Sequence, residues 1–145
     1  MTERTFVMIK PEHIHLTDKI IADLNWQGHL EKFHYVSKVP PEVIGQHYAP
    51  HQGKPFYAHL VQAFVDKPVV IMVYQGDGIV KKIMDLAGPT DPLKAPKDTI
   101  RGKYSHDSLA AAVAEHRTVH NVIHRSDSAA EAEREIKVWK AYLNP

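Results

Sequence analysis

The order of apolar runs and amphipathic stretches predicts an α/β architecture, an α+β sandwich with an antiparallel, ferredoxin-like βαββαβ core and added helices. Three observations carry it. Residues 5–9 and 69–74 are unbroken apolar and β-branched runs that suit strands buried on both faces. Helical stretches separate the predicted strands. A short β-branched run, Val122-Ile123, closes the series just ahead of an amphipathic C-terminal stretch.

The first strand ends at Lys10-Pro11, where proline stops the ladder and the lysine can reach a cleft or the solvent edge. Thr17 is placed to cap a helix with Ile20, Ile21 and Leu24 on its apolar face, ending near Gln27-Gly28. Residues 30–39 follow as a second strand, with Phe33, Tyr35 and Val39 on one face and Pro40-Pro41 as its break. A helical stretch over 42–48 leads into a loop around Pro50 and Gly53, and a further helix covers about 55–65. Tyr48 and Phe56 bracket that loop, either as an aromatic lid over a flat ring, which any base can stack on, or as core residues. After strand 69–74, Gly76 and Gly78 turn the chain into a helix over about 79–87.

Residues 88–103 form a basic loop punctuated by Pro89, Pro92 and Pro96, and long stiffened loops in small domains are commonly functional. In it Thr90 offers a hydroxyl and Arg101 a planar fork suited to phosphate oxygens. Asp107-Ser108 can cap a short alanine-rich helix through His116.

With 145 residues, 43% of them hydrophobic, the chain fits a single domain over 1–145 with one core. A net charge of +1 gives no global field for nucleic acid or anionic membrane, so any attraction for phosphates is local. The absence of cysteine excludes disulfides and thiolate metal sites. The first residues lack an apolar signal region, and no run approaches the ~20 apolar residues that span a bilayer. The expectation is a soluble cytoplasmic protein with no membrane partner.

The most informative stretch is Asn121-Val122-Ile123-His124-Arg125-Ser126-Asp127-Ser128, which delivers one histidine to a strand-to-helix junction. Ser128 and Glu131 have capping-box spacing, and Ala132, Ile136, Trp139 and Leu143 then form the apolar face of a helix of about four turns. Glu133 with Lys137 and Glu131 with Arg134 are spaced to pair as surface charges. Glu135 has no such partner and lies at the edge of the apolar face, where its carboxylate can turn back to meet His124. A carboxylate there fixes the tautomer of the ring and leaves the other nitrogen free to attack. The alternative is a structural histidine satisfied by a cap.

This stretch resembles the N-x-x-H-[GA]-S-D-S signature of nucleoside diphosphate kinases. It is joined, in the family's order and nearly at its spacing, by residues 4–11, His47-Tyr48, Lys54-Pro55-Phe56-Tyr57, Gly88-Pro89-Thr90-Asp91-Pro92 and Thr99-Ile100-Arg101-Gly102. The resemblance implies ping-pong transfer of the γ-phosphoryl group of ATP or another nucleoside triphosphate to a histidine, then to a nucleoside diphosphate. It implies Mg2+ held mainly by the nucleotide phosphates and not by a protein metal site. By motif matching, His124 is the nucleophile and Glu135 its orienting carboxylate. Lys10, Tyr48, Thr90 and Arg101 surround the phosphates, Phe56 stacks on the base, and Asn121 meets the ribose and terminal phosphate region. The resemblance also implies a homo-oligomer, hexameric or tetrameric, and firms the ferredoxin-like fold.

Three departures stand out. Met84 occupies the position of a family arginine that reaches the nucleotide phosphates, and loss of one such cation costs on the order of 10²-fold in rate. Lys81, three residues away on the same helix, is the nearer substitute, and Met84→Arg is expected to raise turnover unless another cation fills the role. Arg125 replaces a small residue and is read three ways: a phosphate contact, a source of crowding, or a solvent-facing side chain. About ten extra residues precede Asn121, an insertion at about 105–118 expected to form one wall of the base pocket. The rival from another class is a catalytically weakened nucleotide-binding regulatory or scaffold protein on the same fold. A second rival, metal binding by His13 with His15 or His47 with His51, lacks a third ligand at a recognisable spacing.

Overall fold

The computed structural model describes residues 2–144. Four strands, β1 (Thr2–Ile9), β2 (His29–Val36), β3 (Val69–Asp77) and β4 (Ile123–Arg125), form one sheet in the order β2-β3-β1-β4. Every neighbouring pair is antiparallel. The apolar runs take the two central places, as their burial on both faces requires: residues 5–10 and 69–74 are buried throughout. This is the expected βαββαβ order.

Alternation along β1 divides the core. Phe6 and Met8 join Trp139, Ile44 and Phe64 on one face, beneath α2 (Pro41–His47), α3 (Tyr57–Gln62), α7 (Ala129–Val138) and α8 (Lys140–Leu143). Val7 and Ile9 join Leu24, Ile79 and Ile83 on the other, beneath α1 (Thr17–Leu24) and α4 (Ile79–Ala87). Two further short helices, α5 (Ile100–Tyr104) and α6 (Leu109–Ala114), lie in the stretch between α4 and β4. β4 is an edge strand of three residues, so it can present side chains from both of its faces at one end of the sheet.

Several local expectations are corrected. Thr17 does not cap α1: a 3-10 turn over Pro11–Leu16 precedes the helix, and the Thr17 hydroxyl donates to the Ile14 carbonyl at 2.6 Å. The second strand stops at Val36, and Val39 instead forms an isolated parallel bridge with Val65, buried beside Phe64. The C-terminal helix breaks at Trp139, whose indole is fully buried and turned onto His47. Glu133 pairs across the fold with Arg4, with oxygens 3.0 and 2.5 Å from the guanidinium, and not with Lys137. The basic loop carries α5, capped by Thr99, whose hydroxyl accepts from the Gly102 N–H at 3.1 Å. Ser108 and Ser128 cap α6 and α7 as expected.

Candidate active site

A cleft of ≈ 580 Å³ opens at the end of β4. All eight expected site residues line it: Lys10, Tyr48, Phe56, Thr90, Arg101, Asn121, His124 and Glu135. The chain reaches the cleft through a strained turn. Ile123 N–H donates to the Asn121 carbonyl at 2.9 Å across Val122, whose φ is 76°, a γ-turn that a β-branched residue rarely adopts. Such strain costs on the order of 1–3 kcal/mol and persists only where surroundings over-determine it.

Arg101 supplies that determination. Its Nε donates to the Asn121 carbonyl at 3.0 Å, Nη2 to the Ile123 carbonyl at 2.9 Å and Nη1 to the Gly88 carbonyl at 2.9 Å. The fork thus braces both sides of the γ-turn and ties it to the loop after α4. The buried Val122 side chain and the Lys10 N–H, which donates to the Val122 carbonyl at 2.9 Å, complete the clamp.

His124 is held by Glu135, with 3.0 Å between Nε2 and Oε1. The same Oε1 accepts from the Ser126 hydroxyl at 2.7 Å, and Ser126 Oγ in turn accepts from the Phe6 N–H at 3.1 Å. An ionised carboxylate only accepts, so Nε2 carries the ring proton and Nδ1 keeps a lone pair. That lone pair faces the cleft. Burial and the charges of Lys10, Arg125 and Arg101 push the His124 pKa down to about 3, which favours the neutral ring. Burial raises the Glu135 pKa, against the lowering pull of His47, the Ser126 hydroxyl and Arg134. A neutral imidazole with one nitrogen engaged and the other open has the form that nucleophilic attack requires.

The other polar groups are equally constrained. Lys10 Nζ donates to Asn121 Oδ1 at 2.5 Å, and Asn121 Nδ2 donates to the Thr90 carbonyl at 3.0 Å, leaving the exposed Thr90 hydroxyl to a ligand. Burial, with the Arg101 charge second, brings the Lys10 pKa down to about 8. The two aromatic residues part company: Tyr48 is buried with its ring edge-on to His124, while Phe56 is 48% exposed and lines the cleft. Leu109 and Val113 of α6, 40% and 74% exposed, line it too, so the stretch 105–118 contributes to its wall. Arg117 anchors this wall through a bidentate pair with Asp107 at 2.7 and 2.9 Å.

Three groups were not singled out by sequence for these roles: Ser126, which reads as a turn residue; His47, read in the His47-Tyr48 motif and in a histidine pair but given no part in the site; and Arg134, which donates to the Gln46 and His47 carbonyls at 3.0 and 2.8 Å. His47 and His51 do not pair. His47 is buried with its ring centroid 4.4 Å from that of His124, while His51 sits beside Phe56. His47, His124 and Glu135 bring ligand-type atoms within 4.8 Å of one another. The proton count opposes an ion there. Trp139 Nε1–H donates to His47 Nδ1 at 3.0 Å, and an indole is a donor only, so the neutral ring carries its proton on Nε2.

The nucleoside diphosphate kinase family profile matches residues 3–142. The chain belongs to the nucleoside diphosphate kinase family. It is 39% identical over 139 residues to the nucleoside diphosphate kinase of Moorella thermoacetica, covering 94% of this chain and 93% of that one. It is 39% identical over 146 residues to that of Streptomyces coelicolor, covering 96% of each. Among solved structures, an NDP kinase from Pyrobaculum aerophilum superposes with a TM-score of 0.86 at 32% identity over 96% of each chain. A Borrelia burgdorferi nucleoside-diphosphate kinase with bound vanadate and ADP gives 0.90 over 99% of this chain and 92% of its own; at 24% identity that likeness shows the fold alone. As a nucleoside diphosphate kinase the protein is a phosphotransferase acting on nucleotides, in a family that generally uses a divalent metal. Among the cleft's lining residues the three carboxylates, Asp127, Glu131 and Glu135, are each paired with a cationic or histidine side chain. That donor set suits a metal that arrives on the phosphates. No helix among the described residues is long and apolar enough to cross a membrane.

Proposed function

We propose that His124 is the phosphoryl acceptor in a ping-pong reaction in which Glu135 and Ser126 orient its ring. The observation that carries this reading is the Glu135–His124 bond at Nε2, which leaves the Nδ1 lone pair facing the cleft. In the first half-reaction Nδ1 forms a bond to the γ-phosphorus of a nucleoside triphosphate, and the bond from that phosphorus to the β–γ bridging oxygen breaks. The bridging oxygen leaves with the electron pair as a terminal oxygen of the diphosphate. The ring gains positive charge as the N–P bond forms, and the Glu135 carboxylate on Nε2 stabilises it. In the second half a terminal oxygen of another nucleoside diphosphate forms a bond to that phosphorus, the N–P bond breaks, and its electron pair returns to Nδ1. Mg2+ bound on the phosphates offsets their charge.

Lys10, Arg101, Asn121, Tyr48 and the Thr90 hydroxyl are the proposed phosphate and ribose contacts, and Phe56 with the α6 wall is the proposed base clamp. The clamp is apolar and flat-sided, which favours stacking over reading of base edges and so a broad choice of base. A homo-oligomer, hexamer or tetramer, fits the edge position of β2 and its half-exposed Phe33 and Tyr35. The cytoplasm is the proposed compartment, since its nucleotide pools supply the substrates.

A two-step labelling experiment tests the reading. Protein, magnesium and γ-labelled ATP are mixed, free nucleotide is removed, and a panel of nucleoside diphosphates is added, with His124→Ala alongside. Acid-labile, base-stable label that requires His124 and is discharged by several diphosphates is the expected result. Label that survives in His124→Ala would overturn it.

A further inference from the structure

We propose that Arg125 is a catalytic residue of this chain: its guanidinium contacts the transferring phosphoryl group, supplying the cation that Met84 does not. The inference rests on His124 as acceptor and goes beyond it by naming a residue outside the expected site. His124 and Arg125 are neighbours on β4, opposite Met8 and Val7 of β1, so their side chains leave the strand on opposite faces. Because β4 is a short edge strand, both still reach the cleft, His124 from the α7 face and Arg125 from the α4 face.

Arg125 joins two cavities. It lines the main cleft with His124, and also an adjoining space of ≈ 350 Å³ between α4 and the loop after it, where Met84 and Gly88 line the wall. Met84 and Arg125 therefore line the same cavity, where the two departures from the family pattern meet. Lys81, the substitute favoured on sequence, is excluded by its position: it is exposed, pairs with Asp85 at 2.7 Å and lines neither cavity.

The head group of Arg125 is less committed to the protein than those of its neighbours. Three N–H groups of Arg101 are spent on main-chain carbonyls, and Lys10 is bonded to Asn121. Arg125 is bonded through Nη1 to Asp127, an exposed carboxylate, while its Nε is buried without a hydrogen-bond partner. Only 16% of its side-chain surface is exposed, so the solvent-facing reading fails. A buried donor lacking an acceptor is costly, and a phosphate oxygen would satisfy it in the bidentate geometry a guanidinium favours. The Arg125 charge already reaches the reacting atoms, being among those that depress the His124 pKa. In the transfer step it forms and breaks no covalent bond. It neutralises charge on the phosphoryl oxygens as the bridging oxygen leaves.

The test is a coupling experiment on single-turnover phosphorylation of His124 by labelled ATP at saturating magnesium. Arg125→Gly is expected to slow labelling by on the order of 10²-fold, with ADP affinity falling far less. Arg125→Lys, which keeps the charge but loses the fork, is expected to fall between. Met84→Arg alone brings no gain because the place is filled; combined with Arg125→Gly it restores much of the lost rate. Arg125→Gly or Arg125→Lys labelling at the parent rate, or a Met84→Arg effect equal in both backgrounds, would overturn the proposal. Should Arg125→Gly melt early, the same coupling is read in Arg125→Lys. Label persisting in His124→Ala would instead condemn the acceptor assignment, so the two failures are distinguishable.

Discussion

The two ends of the cleft are built by opposite means. At the proposed phosphate end many polar groups are committed before any ligand arrives: Arg101 to three carbonyls, Lys10 to Asn121, His124 to Glu135, Glu135 to Ser126. At the proposed base end Phe56, Leu109 and Val113 line the cleft and are partly exposed. The contrast matches the task. Phosphoryl transfer is catalysed by positioning and fixed charge, whereas the broad choice of base proposed above needs a wall that stacks without reading.

The comparison breaks most sharply at Glu135. A glutamine there can turn its NH₂ toward Nε2, which would drive the ring proton to Nδ1 and cap the attacking lone pair. Glu135→Gln is expected to slow His124 phosphorylation by on the order of 10²-fold or more, by analogy with tautomer inversion in other histidine-dependent sites. Nucleotide affinity should change little, because Glu135 approaches the ligand only through His124. Single-turnover labelling together with ring-nitrogen NMR of His124 checks both; an unaltered rate, or an unaltered tautomer with a lost rate, would show that Glu135 does not act through the ring proton.

The same division governs what is legible in sequence. The buried runs of the central strands, 6–9 and 69–73, read plainly because burial on both faces leaves them apolar, and α4 reads to its ends because Gly78 and Gly88 flank it, each with positive φ. His124 and Glu135 are legible because the capping serine and the helical period fix their relation within a dozen residues. Long-range commitments are not. Nothing near Arg101 says that its fork clamps a γ-turn twenty residues on, and nothing at Ser126 shows the Phe6 amide from the other end of the chain. Arg125 is ambiguous for the same reason: whether it faces solvent depends on where α4 lies, which is a tertiary fact.

A second, smaller effect comes from Lys10. With its pKa at about 8 in the free protein, the ammonium is increasingly neutral above that pH, and phosphate binding must then restore the proton. Linkage fixes the sign: ligand binding takes up a proton, so affinity falls as pH rises above 8, by up to roughly tenfold per unit. His124, with its pKa at about 3, adds no limb in the neutral range. An acid limb belongs to the rate of His124 phosphorylation and comes from Glu135, whose raised pKa lets it protonate above the ordinary carboxylate range and give up its acceptor role. ADP titrations at pH 7, 8 and 9 read the basic limb. Lys10→Arg, charged throughout, should flatten it, and parallel isotherms in the parent protein would remove Lys10 from the phosphates.

The smallest effect belongs to the base end, and it is the one that sharpens the comparison. Leu109 and Val113 touch a ligand only through apolar area, so truncating each to alanine removes stacking surface and no hydrogen bond. At about 25 cal/mol per Å² the loss is on the order of 1 kcal/mol, roughly fivefold in kcat/KM. A purine buries more of its face than a pyrimidine, so the penalty should be larger for adenine and guanine nucleotides than for cytosine and uracil ones. The rate of phosphorylation at saturating nucleotide should stay unchanged, because no residue of the phosphate end moves. A panel of nucleoside triphosphates assayed with Leu109→Ala/Val113→Ala decides the point: equal losses for all bases would make α6 a support for the cleft and not a wall of the base site, and a loss at saturation would show that the two ends are mechanically coupled.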